Sequence, residues 1–584
     1  MKNSHIYILY GSETGTAEGL AESLFRSLTR MGYDVLVNSM DDFNLENLLR
    51  PLQCVFICST TGQGEMPLNM RKFWRFLLRK KLPNTFLNDM QYAVFGCGDT
   101  SYTRFNWASK KLDSRLRQLG AQSFSSRGEG DEQHPDGVEG VFAYWCNHLY
   151  SQLAAIKTPS RPAFGEFDLL PPSFQIIIDE NLGCKVKGFE DNNIVRHSRG
   201  KIEATLVHNK RISNIKHWQD VRHLAFKIPN FERWKPGDVA VLYPWNDDMS
   251  VNSFIECMGW ESIKYSPLII SSNVAERKLP WFPNILNVFN LVKYVLSIHS
   301  VPSRTFFEMA SHFSNNKMHK ERLQEFSSYK NIDDYYDYTT RPRRTVLETL
   351  QEFKSVQIPI EYALDAFPVI RGRQYSIANR CDNSTGILEL AVALVKYQTI
   401  LKSPRQGICS RWICDLHENT SFNIDILPGF LNLSYQSNKP LIMVGPGTGI
   451  APLRALIQER IYNGLKENLL FFGCRNKSMD FLFEKDWEKY TEEGTLKLFC
   501  AFSRDQEKKK YVQHSIQENG ELVYNLLNEK DGMFFVSGSS GKMPSSVKDA
   551  IAGIVSKYSG CSISDGYSFV TSLEKKNRYY QETW

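Results

Sequence analysis

The chain opens on an apolar run, residues 4–10 (S-H-I-Y-I-L-Y), that reads as a strand and leads straight into a loop of small and hydroxyl residues. Apolar positions then recur at helical spacing from Ala17 to Met31, which makes a strand–loop–helix unit. Further strand-like runs at Asp34–Ser39, Cys54–Ser59 and Tyr92–Cys97 are separated by helical patterns. They predict a parallel sheet covered on both faces, in a domain spanning 1–155. Residues 156–195 hold several prolines and end in an acidic, Gly-containing stretch, the composition of a linker. Gly200–Tyr243 alternates like antiparallel strands, and alternation resumes at Arg373–Ala378 and Ile387–Tyr397. Between them, 246–365 turns mostly helical and includes the charged, Tyr-rich segment Lys317–Arg344. The pattern predicts a β unit, 196–245 and 366–430, split by a helical insertion. Over 431–584 the strand runs Pro440–Val444, Leu469–Gly473, Leu496–Ala501 and Met533–Ser537 alternate with helices, predicting a second α/β domain.

Composition changes this picture little. A chain of 584 residues is too long for one hydrophobic core, and 42% hydrophobic with 23% charged residues is ordinary for globular domains. The first residues lack the apolar core of a signal peptide, and no uncharged apolar stretch of about 18 residues occurs. A cytoplasmic protein without a membrane anchor is expected. The 12 cysteines show no paired C-x-x-C spacing, so neither a metal site nor disulfides are expected. A net charge of +6 is small for this length, and no basic stripe interleaved with aromatics points to nucleic acid. Locally, Arg71–Lys81 (R-K-F-W-R-F-L-L-R-K-K) predicts a helix with a solvated basic face.

The candidate chemistry sits in loops that follow strands. Ser12, Glu13, Thr14, Gly15, Thr16 and Ala17 join the first strand to its helix, so hydroxyls, backbone N–H groups and the helix dipole can surround one phosphate. The loop has no Lys, which suits a monophosphate better than a triphosphate with Mg²⁺. Two more loops leave the same sheet: one carries Thr60, Thr61, Gly62, Gln63 and Gly64, the other Gly96, Gly98, Asp99 and Tyr102, with Phe105 and Asn106 beyond. Ligands bind where such loops gather at strand C-terminal ends, and Tyr102 offers an aromatic face to a flat ring.

These loops resemble the flavodoxin-like FMN domain of the diflavin reductases, and the resemblance extends over nearly the whole chain. It implies an α/β multidomain fold with a flavodoxin-like FMN domain, a ferredoxin-reductase-like FAD β-barrel with the helical insertion, and an α/β NADPH-binding domain. Arg373-Gln374-Tyr375-Ser376 looks like the family's FAD segment, with Arg373 toward the pyrophosphate, Tyr375 on the flavin ring and Ser376 near its reactive edge. Gly407-Ile408-Cys409-Ser410, followed by Trp412, looks like the second FAD segment, a glycine-opened helix start. Gly445-Pro446-Gly447-Thr448-Gly449 stands between a strand and a helix, placed for a dinucleotide pyrophosphate. Downstream, Arg475, Ser503, Arg504, Lys509, Tyr511 and Gln513 look like the remaining nicotinamide-dinucleotide contacts. Their hydroxyl and cationic donors suit a 2′-phosphate and so favour NADPH over NADH. By resemblance, Trp584 covers the FAD ring, Ser376 and Glu582 flank it during hydride transfer, and Asp131 lines the FMN pocket. Many relatives carry an aromatic where Thr61 stands, which implies one-sided stacking of FMN by Tyr102.

The resemblance implies electron flow from NADPH through FAD to FMN and on to a one-electron acceptor. Within the family the compact chain is most similar to the cytosolic branch serving iron–sulfur assembly, whose partner is an anamorsin-type iron–sulfur protein. Residues 1–150 hold 16 Lys plus Arg and 16 Asp plus Glu, so they lack the acidic balance expected for docking a basic heme protein. A reductase for a heme protein and a non-catalytic regulatory scaffold stand as the alternatives.

Overall fold

A computed structural model of the protein describes residues 5–102, 104–165, 168–179, 198–229, 233–382, 384–429 and 438–583. The described chain forms two compact units.

In the first unit, strands β1 (Ile6–Gly11), β2 (Val35–Ser39), β3 (Leu52–Ser59), β4 (Met90–Gly98) and β5 (Gln122–Ser123) form a parallel sheet in the order β2-β1-β3-β4-β5. Strand β6 (Gly128–Asp131) also pairs with β4. Ile6 and Ile8 face one core while Tyr7 and Leu9 face the other, the two-sided burial that βαβ crossovers impose. The order reverses between β1 and β3, and the loops after those strands and β4 leave from the same end. The helix within Arg71–Lys81 spans only Arg71–Leu77, shorter than its pattern predicts. Arg115 Nε donates to the Leu77 carbonyl at 2.8 Å and satisfies the helix end from outside. The segment expected as linker contributes β7 (Phe174–Ile178), which pairs antiparallel with β11 (Leu268–Ser272) of the helical insertion; residues 180–197 of it lie outside the described residues.

The same unit contains the mainly helical residues 246–371, joined to the parallel-sheet domain across a seam of charge. Arg26 and Arg30 converge on Glu308 at 3.2 and 2.7 Å, Arg304 meets Glu139 at 3.1 Å, Arg277 meets Glu22 at 2.9 Å, and Lys278 meets Asp42 at 2.6 Å. Burial raises the Glu22 and Glu139 carboxyls despite their arginine partners. Burial also acts on Glu308, but two guanidinium groups outweigh it and its carboxyl lies below the usual range.

The second unit holds an antiparallel sheet and a second parallel one. Strands β8 (Ile202–Arg211), β9 (Val221–Lys227), β10 (Val239–Leu242), β12 (Arg373–Ser376), β13 (Ile387–Ala393) and β16 (Ser421–Leu427) run in the order β12-β10-β16-β8-β9-β13. An antiparallel bridge between Ile377 and Leu390 brings the two ends together, so the sheet nearly closes into a barrel. A short ribbon, β14 (Lys396–Tyr397) with β15 (Arg405–Gln406), leads to the helix Ile408–Asp415 that plugs the barrel through Trp412 and Ile413. The parallel sheet is β19-β18-β17-β20-β21, from β17 (Leu441–Pro446), β18 (Asn468–Cys474), β19 (Lys497–Phe502), β20 (Met533–Gly538) and β21 (Tyr579–Thr583). Arg454 joins barrel and sheet: it contacts Glu389 of β13 and Asp486, each at 2.6 Å, and the Ala378 carbonyl at 2.9 Å.

Candidate functional site

The first cluster lies at the C-terminal ends of β1, β3 and β4. Gly15 takes φ +113° and caps the helix Thr16–Arg30 with no side-chain hydrogen bond, a helix start whose N–H groups are of the kind that suits an anion. Ser12 is buried and its Oγ accepts the Gly15 N–H at 3.0 Å, while Glu13 Oε2 accepts the Leu68 N–H at 2.9 Å. These bonds hold the loop with Thr14 exposed and Ala17 buried. The second loop closes on itself: the Thr61 N–H donates to the Glu65 carbonyl at 3.1 Å around Gly62 and Gly64, both at positive φ. Thr60 Oγ1 accepts the Ala108 N–H at 3.2 Å and ties this loop to the helix after the third.

The third loop is built on close approach. A Cβ on Gly96 or Gly98 would fall 2.7 or 2.9 Å from Asn106 Oδ1. Asn106 is fully buried at φ +52°, donates to the Gly130 carbonyl at 3.0 Å, and has Oδ1 without a hydrogen-bond partner. Asp131 braces the same loop, accepting from the Thr100 N–H and hydroxyl at 2.9 and 2.8 Å. Burial is the largest single influence and raises its carboxyl, but the hydrogen bonds from Gln133 and Thr100 together outweigh it and hold it below the usual range. Asp99 accepts the Ser101 N–H at 2.8 Å, Phe105 lies half-buried under Lys110, and Tyr102 stands 39% exposed at the rim. Two side chains missed in the sequence belong to this cluster. Trp107, 41% exposed, covers Gly64, and Arg371 from the helical part lies against Gly15 while pairing with Glu18 at 2.5 Å. Only their adjacency in the fold marks them.

The second cluster lies on the barrel. Pairing of β12 with β10 sets Tyr375 opposite Ala240 and Ser376 opposite Val239, with Arg373 exposed at the strand start. The Tyr375 hydroxyl reaches Cys409 Sγ at 3.2 Å; burial lifts the tyrosine well above its ordinary range and pushes the thiol up to about 11. Gly407 starts the helix carrying Ile408, Cys409 and Ser410 with no side-chain cap, and Ser410 Oγ accepts the Val395 N–H at 2.8 Å. An uncapped helix start beside an aromatic ring and a cation fits a pyrophosphate and an isoalloxazine.

The third cluster crowns the parallel sheet. Gly447 takes φ +56°, and a Cβ on Gly449 would fall 2.3 Å from the Ser537 carbonyl, so Thr448 rides on a turn pressed against β20. Arg475 and Ser503-Arg504 follow β18 and β19, and the Arg504 N–H donates to the Arg475 carbonyl at 2.8 Å. Lys509 and Tyr511 are exposed ahead of the helix Val512–Glu518, in which Gln513 is half-buried. Ser537 Oγ is fully buried without a partner. β21 carries Glu582 level with Ser537, and Ser376 Oγ donates to Glu582 Oε1 at 3.0 Å. Burial raises the Glu582 carboxyl to about 7, against the opposing hydrogen bond from Ser376. Trp584 lies outside the described residues.

A flavodoxin-type parallel sheet and a second, nucleotide-binding parallel sheet, each with its loops gathered at the C-terminal ends of its strands, together with a nearly closed antiparallel barrel, define a multi-cofactor flavoprotein oxidoreductase. Residues 8–145 match the Flavodoxin family, 195–412 the FAD binding domain and 443–549 the Oxidoreductase NAD-binding domain. The chain is 38% identical over 602 residues to NADPH-dependent diflavin oxidoreductase 1 of Xenopus laevis, covering 100% of both chains. It is 39% identical to the protein of that name from Candida albicans, covering 99% of each, and 35% identical to that of Mus musculus, covering 100% of each. The chain belongs to the family of NADPH-dependent diflavin oxidoreductases: it is an enzyme, with FMN, FAD and NADPH as its cofactors.

Proposed function

We propose that the enzyme passes electrons from NADPH through FAD to FMN, and from there to an anamorsin-type iron–sulfur protein in cytosolic iron–sulfur assembly. The observation that carries the order is the Ser376–Glu582 pair, which joins the barrel carrying the FAD segment to the sheet carrying the dinucleotide loop. Bound in these clusters, the flavins would supply the redox chemistry, coupling a two-electron nicotinamide donor to a one-electron acceptor. Ser12, Gly15 and the helix start after them would hold the FMN phosphate, and Tyr102 would offer its face to the ring. Arg373 and the helix start at Gly407 would hold the FAD pyrophosphate, and Tyr375 would offer its ring to the flavin. Thr448 orients the NADPH pyrophosphate, while Ser503, Arg504 and Lys509 take the 2′-phosphate. Glu582, with its carboxyl near neutrality, holds or releases a proton at Oε2, the oxygen left without a partner while Oε1 accepts from the Ser376 hydroxyl.

The balanced charge of residues 1–150 supports an iron–sulfur rather than a basic heme acceptor. Among the described residues no helix is long and apolar enough to cross a membrane. The test is anaerobic reduction by NADPH, followed by mixing with an anamorsin-type cluster protein or a heme acceptor. Rapid reduction of the cluster is expected; transfer to heme alone would sink the proposal.

A further inference from the structure

We infer that Trp218 is a positioning residue for the adenosine end of the dinucleotide site, holding Arg475 toward the 2′-phosphate. The inference rests on the reading that Arg504 and its neighbours take that phosphate. Trp218 lies outside the parallel sheet, on the loop between β8 and β9 of the barrel, and is 61% exposed. A solvent-facing indole has a reason here: the Arg475 guanidinium sits 4.6 Å from its ring centroid.

The loop is built to hold that ring in place. Arg211 donates to the Asn214 and His217 carbonyls at 2.9 and 2.7 Å, and Ser213 Oγ both donates to the Gln219 carbonyl and accepts the Val221 N–H. The loop is then fastened to the segment after β18. The Asn214 N–H reaches the Met479 carbonyl at 2.7 Å, Asn214 Nδ2 the Ser478 carbonyl at 3.3 Å, and buried His217 lies 3.8 Å from Asp480. Asp480 in turn accepts the Arg475 and Asn476 N–H groups at 3.0 and 2.8 Å, fixing the backbone from which Arg475 projects.

Arg475 and Arg504 are hydrogen-bonded neighbours at the C-terminal ends of adjacent parallel strands, where ligands of such sheets bind. A long arginine held over an aromatic face loses less rotamer freedom when it meets an anion. The barrel thus tunes dinucleotide affinity through a loop that makes no part of the Gly-rich motif.

The test is calorimetric titration of the flavin-loaded enzyme with 2′,5′-ADP and with 5′-AMP. Trp218→Ala should weaken 2′,5′-ADP about two- to fivefold, the range of an exposed cation–π contact, and weaken 5′-AMP less. Trp218→Phe, which keeps an aromatic face, should restore most of the affinity. In an Arg475→Ala background Trp218→Ala should add nothing, because its effect passes through that guanidinium. A loss that persists in the Arg475→Ala background overturns the inference, and so does an unchanged affinity in Trp218→Ala when Arg504→Ala binds 2′,5′-ADP weakly. If Arg504→Ala also binds normally, the 2′-phosphate reading falls and the inference falls with it.

Discussion

Ser376 Oγ donates to Glu582 Oε1 across 3.0 Å, from a barrel strand to the edge strand of a different sheet. Burial lifts this carboxyl from its ordinary 4.5 to about 7, so between those values the folded protein holds a proton that the unfolded chain has released. Stability therefore falls as pH rises through that window. Glu582→Gln should flatten this slope, raising Tm relative to wild type at pH 8 but not at pH 4, as read by thermal unfolding. The same substitution should remove the pH dependence near 7 from the rate of flavin reduction by NADPH. An unaltered profile would exclude Glu582 as the titrating group.

Arg504 is exposed, its backbone N–H is tied to the Arg475 carbonyl, and its guanidinium is a cation that a 2′-phosphate can engage. Arg504→Ala should raise KM for NADPH by roughly tenfold or more, as expected for a charge-assisted hydrogen bond, and leave KM for NADH little changed. Equal losses with both dinucleotides would remove the assignment.

How much of this was legible in the sequence varied with range. The runs around Ile6, Val55 and Phe534 are near-continuously apolar because both faces of their sheets are covered, and they were readable as strands. The Gly-rich loops were readable because a turn at positive φ or in close approach to a neighbouring backbone needs glycine, as at Gly15 and at Gly449 against the Ser537 carbonyl. By contrast β6, Gly128-Glu129-Gly130-Asp131, has no strand composition and pairs only because β4 offers an edge. Trp107, Arg371 and Trp218 stand in no motif; each gains its place from a contact with a residue distant in sequence, at Gly64, Gly15 and Arg475. Periodicity within one window carries no information about such pairs.

Arg454 is largely buried and serves two carboxylates. Burial alone would raise the Glu389 carboxyl, but the hydrogen bond from His223 and the charge of Arg454 outweigh it and hold it at about 2. Glu389 thus contributes stability above about pH 4.5 that is lost as pH falls toward 2. Arg454→Ala leaves two partly buried carboxylates without their cation and should cost about 3 kcal/mol, measured by denaturant unfolding at pH 7. The penalty should shrink in acid.

Gly15 cannot be replaced quietly. Its φ of +113° disfavours any side chain, and a Cβ there would fall 2.8 Å from Arg371 Nε. Gly15→Ala should weaken FMN retention by about tenfold, for a backbone cost on the order of 1–2 kcal/mol. Release and quantitation of both flavins would then give FAD near wild-type content and FMN depleted. Loss of both would indicate general misfolding.

The charged seam predicts a salt response. Raising ionic strength from about 0.01 to about 1 M shortens the Debye length from about 30 to about 3 Å. The exposed Lys278–Asp42 pair should weaken most and the more buried pairs at Glu308, Glu139 and Glu22 less, and the radius of gyration by solution scattering should grow. Glu308→Gln, which strips two arginines of their shared partner, should shift that expansion to lower salt. A size independent of salt would mean that the apolar contacts alone hold the seam.

Glu582 reaches Ser376 only because β21 pairs with β20 in one register, Ser537 against Glu582 and Phe535 against Tyr580. Side chains alternate along a strand, so a slip of one residue would turn Glu582 to the opposite face. A single-codon deletion between the helix Ile563–Lys575 and β21 would leave every glycine loop and every cofactor-contacting stretch intact to a reader of the gene, yet disconnect the carboxylate from the serine. On the role proposed for Glu582, a frame-preserving lesion in this turn would slow flavin reduction while each motif still scans as whole.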